Sequence, residues 1–99
     1  DTDAIAIAST GVTTFSKGVV GATSTDTSNT GNITLDFASF TNFVLTLTGN
    51  ITLVNPSTEA VGQSGFIVLI QDGTGSRTLS LGTDYETAGS GGITLSTAA

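Results

Sequence analysis

The chain has 99 residues and a net charge of −6, with eight acids set against Lys17 and Arg77, and it contains no His, Cys, Met or Trp. Without imidazole or thiol it cannot by itself build a Ser/His/Asp triad, a Cys nucleophile, a structural zinc centre or a disulfide. Two cations leave no positive footprint for nucleic acid or for an anionic membrane surface, and the longest unbroken apolar run, Phe66 to Ile70, falls far short of the ~20 residues a spanning helix needs.

The sequence begins at Asp1, which is read as the mark of a processed chain or of a piece of a longer one, the second being favoured. The 20 Thr, 11 Ser and 13 Gly crowd out good helix formers, and no segment places apolar residues at helical spacing. An all-β chain is expected.

In chain order, Asp3 to Ala8 alternates Ile with Ala, and Val12 to Phe15 follows a Gly turn, so two short strands are expected there. Their apolar face is too small to hold a two-stranded unit alone, and partner strands are sought in another chain or in residues outside the sequence. The polar tract Gly21 to Gly31 reads as a linker or extended arm, which makes residues 1–30 a stalk or connector and residues 31–99 a knob.

Within the knob, Ile33, Leu35 and Phe37 alternate with polar residues in the manner of a half-buried strand. Phe43, Leu45 and Leu47 repeat the pattern; Gly49-Asn50 reads as a tight turn into Ile51 to Val54, giving a hairpin over 42–54 that Pro56 terminates. The continuous apolar stretch 66–70 is expected to be a central strand covered on both faces. Asp72 to Gly75 reads as the turn of a second hairpin returning through Arg77 to Leu81, and Ile93 to Leu95 as a last short strand. Gly31-Asn-Ile-Thr-Leu35 recurs as Gly49-Asn-Ile-Thr-Leu53, an echo attributed to similar turns feeding similar strands and not to a solenoid period.

Few residues carry chemistry. Asp84 and Glu86, two apart, would share one face of a strand, the minimum for acid and base work on a glycoside, but only Tyr85 accompanies them as a sugar platform. Calcium needs six to eight oxygens, and Asp72-Gly-Thr-Gly-Ser lacks the acids of a calcium loop; Asp72 is expected to cap its own turn. Gly73-Thr-Gly75 has neither the Lys of a phosphate loop nor a third Gly opening a helix. Arg77 is expected to pair with Asp72, with Asp84 or with a neighbouring subunit. Asn32-Ile-Thr34 and Asn50-Ile-Thr52 fit the glycosylation acceptor pattern, which Thr-rich chains produce by chance. No cofactor is implied.

Several strings carry a resemblance: Asn42 to Leu53, Gly62-Gln-Ser-Gly65, and above all Gln71-Asp-Gly-Thr-Gly-Ser-Arg77 running on to Leu81-Gly-Thr-Asp-Tyr85. On these, residues 29–97 resemble a domain of bacteriophage virion proteins, especially tail-fibre and fibre-like proteins of phages of marine bacteria. Asp3 to Ala8 with Gly11, Val12 and Phe15 is similar to the short β-segment preceding such tips. The resemblance implies a non-enzymatic virion module, an antiparallel, jelly-roll-like β-sandwich knob on a β-rich arm, assembled as a homotrimer beside other phage virion proteins, with a host cell-surface glycan or protein as its target. Chains of that family run on past the last Ile-Thr-Leu strand, so a fragment of a longer fibre is expected.

Assembly is also expected on physical grounds, because 27 Ile, Leu, Val and Phe side chains make a modest core and the edge strands lack charged guards. Candidate assembly residues are Ile5, Ile7, Phe15 and Arg77. Candidate receptor-facing residues are Asp72, Thr74, Ser76, Asp84, Tyr85 and Glu86, in the loops 72–76 and 82–92, with 55–64 as a third loop. Two other readings stay open: a capsid decoration protein with a clamping arm, and a polysaccharide-degrading spike resting on Asp84 and Glu86.

Overall fold

The computed structural model describes residues 5–99, so Asp3 and Ala4 of the first expected strand lie outside the described residues. It is all-β, with a single 3-10 turn at Ala88–Ser90. Strands β1 (Ile5–Ile7) and β2 (Thr13–Phe15) form an antiparallel hairpin, with Ile5 opposite Phe15 and Ile7 opposite Thr13. The two short strands therefore pair with each other. Ile7, Val12 and Phe15 are exposed, and the hairpin touches no strand of the main sheet.

The main sheet is organised around β4 (Asn42–Leu53), twelve residues long. Strand β3 (Thr23–Ile33) pairs with one side of it, and β5 (Ile67–Gln71) and β6 (Leu79–Leu81) lie along the other, β5 opposite Phe43 to Leu47 and β6 opposite Ile51 to Leu53. All three pairings are parallel. This overturns the antiparallel, jelly-roll-like arrangement and both expected hairpins. The chain returns to the same end of the sheet after β3 and after β4 through the crossovers 34–41 and 54–66, as parallel pairing requires, whereas β6 continues the line of β5.

Three local readings change with it. Gly49-Asn50 lies inside β4, and Gly49 has no positive φ. It is a glycine because Thr30 on the adjacent strand stands where a Cβ would be, a close approach of two chains and not a turn. The polar tract expected to be a linker is most of β3, paired with β4 from Thr23 to Ile33 apart from two register shifts. The central strand is β4, not 66–70, since Val68 and Ile70 on β5 remain 41% and 44% exposed.

Alternation along β4 puts Phe43, Leu45, Leu47, Ile51 and Leu53 on one face, all buried, with Leu35 joining them from the first crossover. Leu35 and Phe37, expected to continue a strand from Ile33, instead fold over that face after β3 ends. Phe37 and Phe40 meet Phe43 edge to face, with ring centroids 5.2 and 6.1 Å away. Asp36 shapes this crossover by accepting from the Ala38 and Ser39 amides at 3.0 and 3.3 Å. The Gly-Asn-Ile-Thr-Leu copies sit on and beside neighbouring strands but out of step: Ile33 stands opposite Leu53, not Ile51.

The β3–β4 register slips on either side of Asn29. Asn29 is the buried polar residue of the core, and its Nδ2 donates at 3.0 Å to the Asp26 carbonyl and at 3.0 Å to the Thr46 carbonyl, serving acceptors beside the slip. Replacing it by Asn29→Ala is expected to lower unfolding free energy by about 1–3 kcal/mol, because both carbonyls lose their donor. Urea titration of the two proteins checks this, and equal midpoints would show that the side-chain amide contributes nothing.

Candidate functional site

The six receptor-facing candidates fall into two groups. Asp72, Thr74 and Ser76 belong to the loop that interrupts the strand line between β5 and β6, and Asp84, Tyr85 and Glu86 to the segment after β6.

The first loop is built inward. Asp72 Oδ1 accepts from the Thr74 and Gly75 amides at 3.2 and 3.1 Å, the turn cap expected of it. Its carboxylate also takes a forked contact from Arg77, Nε to Oδ1 at 3.1 Å and a terminal nitrogen to Oδ2 at 2.8 Å. Arg77, a candidate for assembly, thus pairs within its own loop. Gln71 closes the base: its Oε1 accepts from the Arg77 amide, its Nε2 donates to the Arg77 carbonyl, both at 2.9 Å, and the same Nε2 donates to the Ser96 carbonyl at 2.8 Å. Gly75 turns at φ +72° against the Thr97 carbonyl, a position a side chain would fill, and Ser76 follows at φ 59°. Loop and chain end are therefore one packed unit, with Thr74 and Ser76 exposed on it. Gln71 was not singled out as a site residue, although it stands at the head of the Gln71 to Arg77 string.

The second group does not form the strand that would align its acids. Tyr85 N donates to the Gly82 carbonyl at 3.1 Å and Asp84 N to Asn55 Oδ1 at 2.9 Å, so the segment turns around Asn55. Asp84 and Glu86 are exposed. An open cleft of about 790 Å³ between β6 and residues 85–93 is lined by Glu86 and Tyr85 but not by Asp84. The paired-carboxylate chemistry loses the geometric premise on which it was considered. Among the described residues no group of three or more acids converges to hold a cation, so the calcium alternative finds no ligand set there.

Tyr85 is the residue where surfaces meet. It lines the open cleft and also a second cavity, of about 440 Å³, walled by Phe37, Glu59, Gln63, Phe66 and Ile67. Its hydroxyl is buried without a hydrogen-bond partner. Burial, then the nearby Glu59 and Asp84 carboxylates, pushes its pKa above the ordinary phenol value. Gln63 braces the same cavity by donating to the Phe37 and Phe40 carbonyls at 2.9 and 3.3 Å.

Of the assembly candidates, Ile7 and Phe15 are exposed on the hairpin, and Ile5 contributes its backbone to the pairing with Phe15. Sequence comparison matches residues 22–99 to the family described as "Putative phage tail fibre C-terminal domain". Comparison with curated proteins and with solved structures found no match.

Two outcomes follow from this geometry. The hydrogen bond from Arg77 holds the Asp72 carboxyl below the usual carboxylate range, and hydrogen bonding from Ser39 does the same for Asp36. A carboxyl depressed in the folded state stabilises it fully above the unfolded value of about 3.9, and the contribution fades as pH falls through the lower folded value. Unfolding midpoints are expected to drop below about pH 4, less steeply in Asp72→Asn; superimposable pH profiles would remove Asp72 from the account. Tyr85→Phe deletes an unpaired hydroxyl and is expected to leave stability unchanged or raise it by up to about 1 kcal/mol, whereas a loss in calorimetry would reveal a partner for that oxygen.

Proposed function

This chain belongs to the phage tail fibre C-terminal domain family and is a component of the virion particle, and on that premise we propose that it is a non-enzymatic module that assembles as a homotrimer and presents its loops to the host surface. The observation that carries the reading is the extent of the match. It begins at residue 22, one residue before β3 starts, so the matched segment and the parallel sheet unit coincide.

On this reading the connector and the knob expected from the sequence are retained, with the knob taken from Thr23, because β3 is bonded to β4 along its length. Apolar surface left open within one chain supports assembly: Ile7, Val12 and Phe15 on the hairpin, and Phe66, Val68 and Ile70 along β5. The loops 55–64, 72–76 and 82–92, rich in Thr, Ser, Gly and Asn, suit a glycan or protein target. Tail-fibre membership favours this over capsid decoration, and other virion proteins are the expected neighbours.

Soluble protein added to host cells ahead of phage is expected to reduce adsorption in proportion to its concentration, and gold-labelled antibody to decorate the tail. Undiminished adsorption with label on the capsid would establish the decoration reading instead. Reducing ends released from host polysaccharide would overturn the non-enzymatic assignment.

A further inference from the structure

We propose that the copies are joined by the β1–β2 hairpin of one chain seated in the aromatic cavity of the next. This deepens the homotrimer reading above and rests on it.

The hairpin is an unfinished surface. A two-stranded unit is at best marginally stable in water, yet this one touches no strand of its own sheet. Its register places Ile7, Thr13 and Phe15 on a common face, and Ile7 and Phe15 are 74% and 50% exposed. Lys17 follows two residues after Phe15.

The cavity of about 440 Å³ is the complementary surface. Phe37, Phe66, Ile67 and Tyr85 make it mainly apolar, with Phe66 52% exposed at its wall. Glu59 lines it, and Glu59 and Asp84 both act electrostatically on Tyr85.

Charge selects the occupant. Two copies of a chain carrying −6 repel wherever acids face acids. Among the described residues Arg77 is held by Asp72 and Lys17 makes no ion pair, so Lys17 is the cation able to meet the acids of a second copy. The hairpin carries it beside apolar side chains, and the cavity combines apolar walls with Glu59. Residues 16–22 between hairpin and sheet can extend at most about 25 Å, so an adjacent copy has to lie within that reach. Because the contact joins two different surfaces, its repetition closes a ring of three where each copy is rotated by a third of a turn, the geometry the homotrimer reading requires.

Two measurements on the full chain test this. Equal amounts of unlabelled and ¹⁵N-labelled chain are refolded together, treated with a carbodiimide that joins amine directly to carboxyl, and read by mass spectrometry. Lys17 is expected to link to Glu59 or Asp84, with about half of the linked pairs carrying one label each. Links confined to a single label would mean that the hairpin folds onto its own cavity, and would overturn the proposal. Sedimentation equilibrium then compares the parent with Lys17→Glu and Phe15→Ser, both exposed positions whose folding circular dichroism verifies. Each is expected to weaken association about tenfold, and Glu59→Lys to restore it in the Lys17→Glu background. An oligomer unaffected by either change would place the contact elsewhere while leaving the homotrimer reading intact. A parent chain that stays monomeric at every concentration would overturn both.

Discussion

Every strand of the main sheet depends on β4. Among the described residues it is the one segment with ladder partners on both sides, and its alternating side chains provide the buried row from Phe43 to Leu53 onto which the first crossover folds. Parallel pairing imposes the rest. β3 and β4 must each be followed by a return path, and these paths, 34–41 and 54–66, contain no helix and are held by side chains instead. Asn42 Oδ1 accepts from the Phe66 amide and Asn50 Oδ1 from the Thr78 amide, at 3.2 and 3.0 Å, at the entries to β5 and β6. Asn55 turns the segment after β6, and Gln63 and Gln71 brace the second crossover and the loop. In a chain with ten charged residues, carboxamides do the work that ion pairs and helices do elsewhere, because one group both donates and accepts.

The same device explains why the Gln71 to Arg77 string stood out in the sequence. Each of its informative residues has a structural duty: Gln71 closes the loop base, Asp72 caps the turn and receives Arg77, and Gly75 lets the chain pass the Thr97 carbonyl. A loop so fully committed to itself presents a rigid outline, with only small hydroxyl side chains such as Thr74 and Ser76 turned outward. Its charges are spent inside the loop, so it offers shape and hydroxyl groups outward, whereas Tyr85 and the exposed Asp84 and Glu86 beside it leave polar and apolar groups open.

The β class and the burial of 43, 45, 47, 51 and 53 were legible in the sequence, while the pairing was not. Gly49-Asn50 carries a turn signature, yet parity argues against it. A two-residue turn there would set Ile51 opposite Thr48 and Leu53 opposite Thr46, putting both on the hydroxyl face and away from Leu45 and Leu47. Keeping all the apolar residues of 43–53 on one face demands an uninterrupted strand. The polar tract 23–32 was harder to read, because Thr, Ser and Asn are as common in linkers as on the solvent faces of strands, and its one buried residue, Asn29, is polar. The acids at 84 and 86 were read on strand geometry that Asn55, distant in sequence, replaces with a turn.

The weak charge that removed so many functions from consideration also constrains how copies of this chain would meet in the proposed assembly. β3 is an edge strand of eleven residues with Asp26 as its single charged side chain, and β5 shows Val68 and Ile70 to solvent. Long edges and apolar faces of this kind invite indiscriminate pairing unless something covers them. A net charge of −6 spread over a small surface resists random approach of like chains, and it relents only where a cation meets an acid across matching apolar surface. With Arg77 locked to Asp72, one cation per chain is left among the described residues, so in the proposed assembly the scarcity of positive charge itself is the source of selectivity.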